Sequence, residues 1–135
     1  GHESALDGVT LHLRALKRAQ KLQRRAARVG FEWDEAVDVL DKFDEEIQEM
    51  REALKSGKQE EILDELGDLF FVMTNFGRMI GADCEEALKS ANKKFERRFR
   101  GMEDDAKADG QDFSALSLDE QEAYWQKQKR KERGE

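Results

Sequence analysis

Ile62-Leu63-Asp64-Glu65-Leu66-Gly67-Asp68-Leu69-Phe70-Phe71-Val72-Met73 is the stretch on which the fold turns. It is the most apolar run of the chain, yet Glu65 and Asp68 sit inside it at i, i+3 spacing. That spacing puts both side chains on one helical face, roughly 5–6 Å apart at Cβ. A carboxylate in such surroundings is either desolvated at cost or meets a cation. Just upstream, Glu46 and Glu49 in DEEIQEM repeat the same spacing. If the two segments pair as antiparallel helices, four acidic groups converge and a hard divalent cation is their natural partner.

Working outward, the chain reads as helical throughout. It has no proline in 135 residues, and charged residues make up 41%. Abundant Ala, Leu, Glu, Lys and Arg without prolines to interrupt them favour long helices. The spacing predicts a first helix over Val9–Val29, with Leu13, Leu16, Ala19, Leu22 and Ala26 on its apolar side and Gly30 as its stop. Trp33 and Asp34 open a second, with Val37, Leu40, Phe43, Ile47, Met50 and Leu54 as its buried stripe. Ser56-Gly57-Lys58 is a turn signal, so the third helix, Gln59–Ile80, returns antiparallel and forms the central element. Asp83 is a suitable N-cap for a fourth helix carrying Ala87, Leu88, Ala91, Phe95 and Phe99. Gly101–Ser117 reads as a mobile connection, and Leu118–Arg130 as a terminal helix with Tyr124 and Trp125. Residues 1–8 read as a lead-in or a remnant of processing. The start at Gly1-His2 rather than Met reads as one piece of a longer protein. The expected class is all-α, a single bundle domain over 1–135.

Inventory removes several chemistries. His2 and His12 are the only histidines, which disfavours Ser-His-Asp and Cys-His systems. No Glu-x-x-His pair exists for a di-iron carboxylate site, and no GxxxxGK[ST] loop for a phosphate cradle. Phosphate binding would then rest on metal plus basic side chains, such as Lys94 and Arg98 at i, i+4 in ANKKFERRF. Phe95 and Phe99 of that segment would face the core. Cys84 is the only cysteine, so no internal disulfide forms and a reducing, cytoplasmic setting fits. No apolar stretch approaches the ~18 residues that span a bilayer, so no membrane partner is expected. The net charge of −7 makes nucleic acid an unlikely partner overall. Arg14–Arg28 nevertheless holds seven basic residues and no acidic one. Such a run reads either as a solvated helix face or as an attractor for a polyanionic ligand.

The segments KLQRRAARVGFEW, EEIQE, DELGDLFFVMTNFGR and ANKKFERRF together resemble the MazG family of nucleoside triphosphate pyrophosphohydrolases, over roughly Leu13–Lys129. The likeness is to the C-terminal catalytic domain of two-domain bacterial members. The resemblance implies an all-α bundle completed by homodimerisation. It also implies Mg²⁺-dependent hydrolysis (Mn²⁺ as a possible substitute) of a nucleoside triphosphate to monophosphate and pyrophosphate, in nucleotide-pool sanitation or regulation. Carried over by motif, Glu46, Glu49, Glu65 and Asp68 would ligate metal, and Glu45 could orient water or a second ion. Lys42, Lys94 and Arg98 would contact the triphosphate. Trp125 and Lys129 in YWQKQK match a WxxxK element that closes on the nucleotide, with Trp125 either stacking on the base or docking the last helix. Relatives often carry a basic residue near Glu60-Glu61, where this chain is acidic, which leaves more of the neutralisation to Lys94 and Arg98. The turn around Gly57 is also shorter. Alternative readings are dUTP or phosphoribosyl-ATP hydrolysis on the same scaffold, and a non-catalytic helical dimerisation or nucleotide-sensing module.

Overall fold

The computed structural model describes residues 6–10 and 14–135, so the sequence readings at His2, His12 and Leu13 lie outside the described residues. Five α-helices follow one another: α1 (Ala15–Ala27), α2 (Ala36–Ser56), α3 (Gln59–Met79), α4 (Cys84–Ala108) and α5 (Leu118–Glu132). A 3-10 turn at Phe113–Ala115 precedes α5, and no strand occurs among the described residues. The all-α expectation holds. The chain divides into two compact units, Gly1–Ala87 and Leu88–Glu135, with the boundary inside α4.

In the first unit, α3 packs against both α1 and α2, as the reading of a central helix requires. α2 starts at a reciprocal cap in which the Glu35 amide donates to Asp38 at 3.1 Å. It ends at Gly57, whose φ of 69° closes the helix in the left-handed region that glycine adopts without a Cβ penalty. Two glutamines on α1 do structural work that apolar residues could not. Gln20 is 4% exposed and ties the α3–α4 turn together: its amide donates to the carbonyls of Thr74 and Ala82, and its oxygen accepts from the Cys84 amide at 3.0 Å. Gln23 donates to the Phe71 carbonyl at 2.8 Å and to Thr74 Oγ1 at 3.1 Å.

The buried line of α2 is Val39, Glu46 and Ala53, seven residues apart. It replaces the expected stripe, of which Val37, Leu40 and Leu54 are exposed and Phe43, Ile47 and Met50 half-buried. The reason is coverage: in a single chain α2 has α3 on one side, and its remaining apolar residues flank that contact. α3 likewise leaves Leu63, Leu66, Phe70, Phe71 and Met73 exposed.

In the second unit α4 and α5 pair through side-chain ties. Asp105 accepts from Gln128 at 2.6 Å and from Lys131 at 2.9 Å, and the Tyr124 hydroxyl donates to Asp109 at 2.7 Å. Asp83 caps α4 by accepting from the amides of Glu85 and Glu86, as the sequence suggested. The stretch from Gly101 is not the start of a connection, because α4 continues to Ala108. Met102 and Ala106, both buried, extend the Phe95–Phe99 spacing by a further i+3 and i+4. Gly101 within this stretch lets α5 approach, since a Cβ there would collide with the Gln128 amide. Leu88 and Phe95 stay exposed, contrary to a core position, although Phe95 stacks on Phe99 at 5.7 Å.

Candidate functional site

The antiparallel pairing of α2 and α3 brings Glu46, Glu49 and Glu65 together. One carboxylate oxygen from each lies within 4.8 Å of the others. Glu46 is buried at 7% exposure, Glu65 half-buried and Glu49 exposed. One oxygen of Glu46 and one of Glu65 are buried without any hydrogen-bond donor. Like charges this close repel; Lys42 relieves Glu46 at its other oxygen, and a proton or a further cation would relieve the two without partners.

The ionisation equilibria record that strain. The Glu65 carboxyl is pushed up to about 7, first by its hydrogen bond to Glu46, then by desolvation and by the charges of Glu46, Glu49 and Asp68. Burial alone would raise Glu46, but the Glu65 hydrogen bond together with Lys42 and Glu49 holds it below the usual range. The pair therefore favours a proton on Glu65 over one on Glu46. Asp68 lies outside the tight trio but within its field. Its carboxyl is raised by partial desolvation and by the charges of Asp64 and Glu46, against the pull of Lys42. Lys42 sits one turn before Glu46 and binds it at 3.2 Å, with Glu45 at 3.5 Å. These contacts, the Glu46 hydrogen bond first, raise the Lys42 pKa. Glu45 itself is largely exposed.

A proton held more tightly in the folded chain than in the unfolded one stabilises the fold at low pH. The Glu65 contribution is fully present below its unfolded value of 4.5 and is lost as pH rises through about 7. Glu46 acts in the opposite sense, but below 4.5, outside that window. The metal-free chain is thus expected to lose melting temperature between about pH 5 and 8. Added Mg²⁺ should restore it, increasingly so at higher pH, because cation and proton compete for the same oxygens. Thermal unfolding in EDTA and in Mg²⁺ across this range checks the expectation.

On the α1 side of α3, a cavity of about 540 Å³ is lined by Leu22, Gln23, Phe31, Trp33, Phe71 and Asn75. Gln23 is 6% exposed and its Oε1 has no donor. Sequence reading missed this cavity. Its available signal was a pair of glutamines, Gln20 and Gln23, interleaved with the apolar side of α1.

The remaining predicted residues belong to the second unit. The Arg98 guanidinium lies 5.1 Å from the Trp125 ring centroid, a cation–π contact, and Trp125 also meets Phe95 at 6.1 Å. Arg98 is gripped by Glu132, which accepts from its Nη2 at 2.7 Å and Nε at 3.0 Å, while Arg97 reaches the same carboxylate at 3.1 Å. The Arg98 hydrogen bond is the main reason that the Glu132 carboxyl falls to about 2. Glu132 is a second residue that sequence reading passed over, one acid amid the basic cluster Lys127–Arg133. Lys94 is exposed and Lys129 half-buried.

Comparison with known proteins places the chain in a family. The chain is 45% identical over 131 residues to the nucleoside triphosphate pyrophosphohydrolase of Escherichia coli (strain K12), covering 96% of this chain and 50% of that protein. It is 37% identical over 115 residues to the nucleoside triphosphate pyrophosphohydrolase/pyrophosphatase MazG of Thermotoga maritima, covering 85% of this chain and 44% of that protein. The chain spans about half the length of these curated relatives. The family model described as the MazG nucleotide pyrophosphohydrolase domain matches residues 31–101, which include the carboxylate trio, Lys42, Asp68, Lys94 and Arg98. With a helical fold, paired acidic helices and a matching family model over more than half its length, the chain belongs to the MazG family.

Proposed function

We propose that the chain hydrolyses nucleoside triphosphates to the monophosphate and pyrophosphate, using Mg²⁺, or Mn²⁺ in its place. The carrying observation is the trio Glu46, Glu49 and Glu65, with ligand oxygens within 4.8 Å and two buried oxygens lacking donors. An all-oxygen, anionic donor set of this kind suits a hard dication. When bound, the cation neutralises phosphate oxygens and lowers the pKa of a coordinated water.

The protein's own residues divide the remaining tasks. Glu46, Glu49 and Glu65 would hold the ion, with Asp68 completing the acidic field. Lys42 keeps Glu46 ionised and aimed, and it would have to exchange a carboxylate partner to contact the triphosphate. Glu45 remains a candidate for orienting water. Lys94, Arg98 and Lys129 supply positive charge for the triphosphate. Arg98 would exchange the Glu132 carboxylate for a phosphate, two oxyanions of matching bidentate geometry. The cavity beside Gln23 suits the base, because its aromatic walls, Phe31, Trp33 and Phe71, provide stacking surfaces.

A homodimer accounts for the apolar residues that α2 and α3 leave exposed, Leu54, Leu63, Leu66 and Phe70 among them. No helix among the described residues is long and apolar enough to cross a membrane. A cytoplasmic role in nucleotide-pool sanitation or regulation fits the proposed reaction.

The test is a panel of standard and damaged nucleoside triphosphates, assayed for pyrophosphate and orthophosphate with and without Mg²⁺. Mg²⁺-dependent pyrophosphate release is expected. Orthophosphate as the product, or binding without turnover across the panel, would contradict this reading and favour a nucleotide-sensing module.

A further inference from the structure

At the far end of α3 from the carboxylates, the first unit holds a pocket of about 630 Å³ whose walls carry the opposite charge. Lys17, Lys21 and Arg24 reach it from α1 and Arg78 from α3, against one carboxylate, Asp83. Lys17, Lys21 and Arg24 stand at i, i+4 and i+7 on one helical face, so their convergence is built into the sequence. The rest of the basic run is used differently. Arg25 donates to the Asp7 carbonyl at 3.2 Å, and Arg18 Nε is buried. The run is therefore not a uniform solvated stripe but contributes a local cluster.

Within the cluster, Lys17 lies 3.8 Å from Asp83, and Arg78 is held by Glu32 at 2.7 Å. Lys21 and Arg24 have no acidic partner among the described residues, although the chain carries 31 acidic side chains against 24 basic ones. The pocket floor is rigid, because the buried Gln20 amide is spent on Thr74, Ala82 and Cys84. Uncompensated cations around a preformed concavity constitute an anion-binding arrangement.

We propose that this pocket is a second, metal-independent site for a small polyphosphate-bearing ligand, contacted by Lys21 and Arg24 and assisted by Lys17 and Arg78. Arg78 lies 13 residues beyond Glu65 on the same helix, roughly 20 Å along the axis at 1.5 Å per residue. One triphosphate tail held at the carboxylates does not fill both sites. The two also obey opposite rules: the acidic trio repels a polyanion unless a cation is present, whereas the basic pocket attracts it without one.

Tripolyphosphate titrated by calorimetry into the 135-residue chain in EDTA at low ionic strength tests the proposal. Saturable binding is expected, weakening as salt is raised. Lys21→Ala with Arg24→Ala should reduce affinity by at least about tenfold, since two charge-assisted hydrogen bonds are lost. The charge-retaining pair Lys21→Arg with Arg24→Lys should bind, and so should Glu65→Gln, which separates this site from the carboxylates. Absence of binding in the wild-type chain overturns the proposal. So does undiminished binding in a normally helical double alanine variant, or a requirement for Mg²⁺.

Discussion

Glu65→Gln is expected to lower pyrophosphate release by about 10³-fold or more while leaving the metal-free chain at least as heat-stable as the wild type at pH 8. The two halves of this result follow from the same geometry. Above its pKa of about 7, Glu65 adds a negative charge beside Glu46 and Glu49, and its buried oxygen has no donor. A glutamine amide is nearly isosteric and donates permanently to Glu46, replacing the proton on Glu65 at every pH. Repulsion falls, a buried acceptor gains a partner and stability is kept or raised. The dication loses an anionic ligand in the same step. The melting temperature should also stop responding to Mg²⁺ and lose its decline between about pH 5 and 8. If the trio were only a structural network, turnover would survive and stability would drop. Steady-state pyrophosphate release and thermal unfolding on one preparation distinguish these outcomes.

Gln20→Ala should destabilise the fold by about 3 kcal/mol without touching the carboxylates. Its side chain is the joint between α1, the end of α3 and the start of α4, through the Thr74 and Ala82 carbonyls and the Cys84 amide. Alanine removes those partners and leaves a void in a region where Gly77 already shows how close the packing is. A Cβ on Gly77 would collide with Cys84 Sγ and lie 3.3 Å from Gln20 Nε2. Urea unfolding should show a lower midpoint with an unchanged slope. A loss below about 1 kcal/mol would mean that water replaces the glutamine and that the joint is not a rigid one.

Much of this architecture is legible in the chain. The turns at Gly30, Gly57 and Gly81 all have positive φ and stand where the hydrophobic period breaks. The acidic pairs announce themselves because Glu65 and Asp68 interrupt the most apolar run. Periodicity shows which residues share a helix face, but not which face is covered. That is why Val39 is 1% exposed while neighbouring Leu40 is not buried. Gly101 and the acidic pair Asp104-Asp105 mask the continuation of α4, although Met102 and Ala106 keep its register. Contacts between residues distant in sequence leave no local mark. The Arg98–Glu132 pair spans 34 residues, and the Gln23 cavity needs α1, α3 and the Phe31–Trp33 loop together. Asp68 shares the face predicted for it but stands outside the tight trio, because i, i+3 spacing fixes direction more closely than reach.

Binding of Mn²⁺ followed by electron paramagnetic resonance, in the wild-type chain and in Glu65→Gln, tests the central claim most directly. The account predicts saturable Mn²⁺ binding by the wild type, displaced by Mg²⁺ and weakened at least about tenfold by the substitution. Equal Mn²⁺ affinity in the two proteins would contradict it.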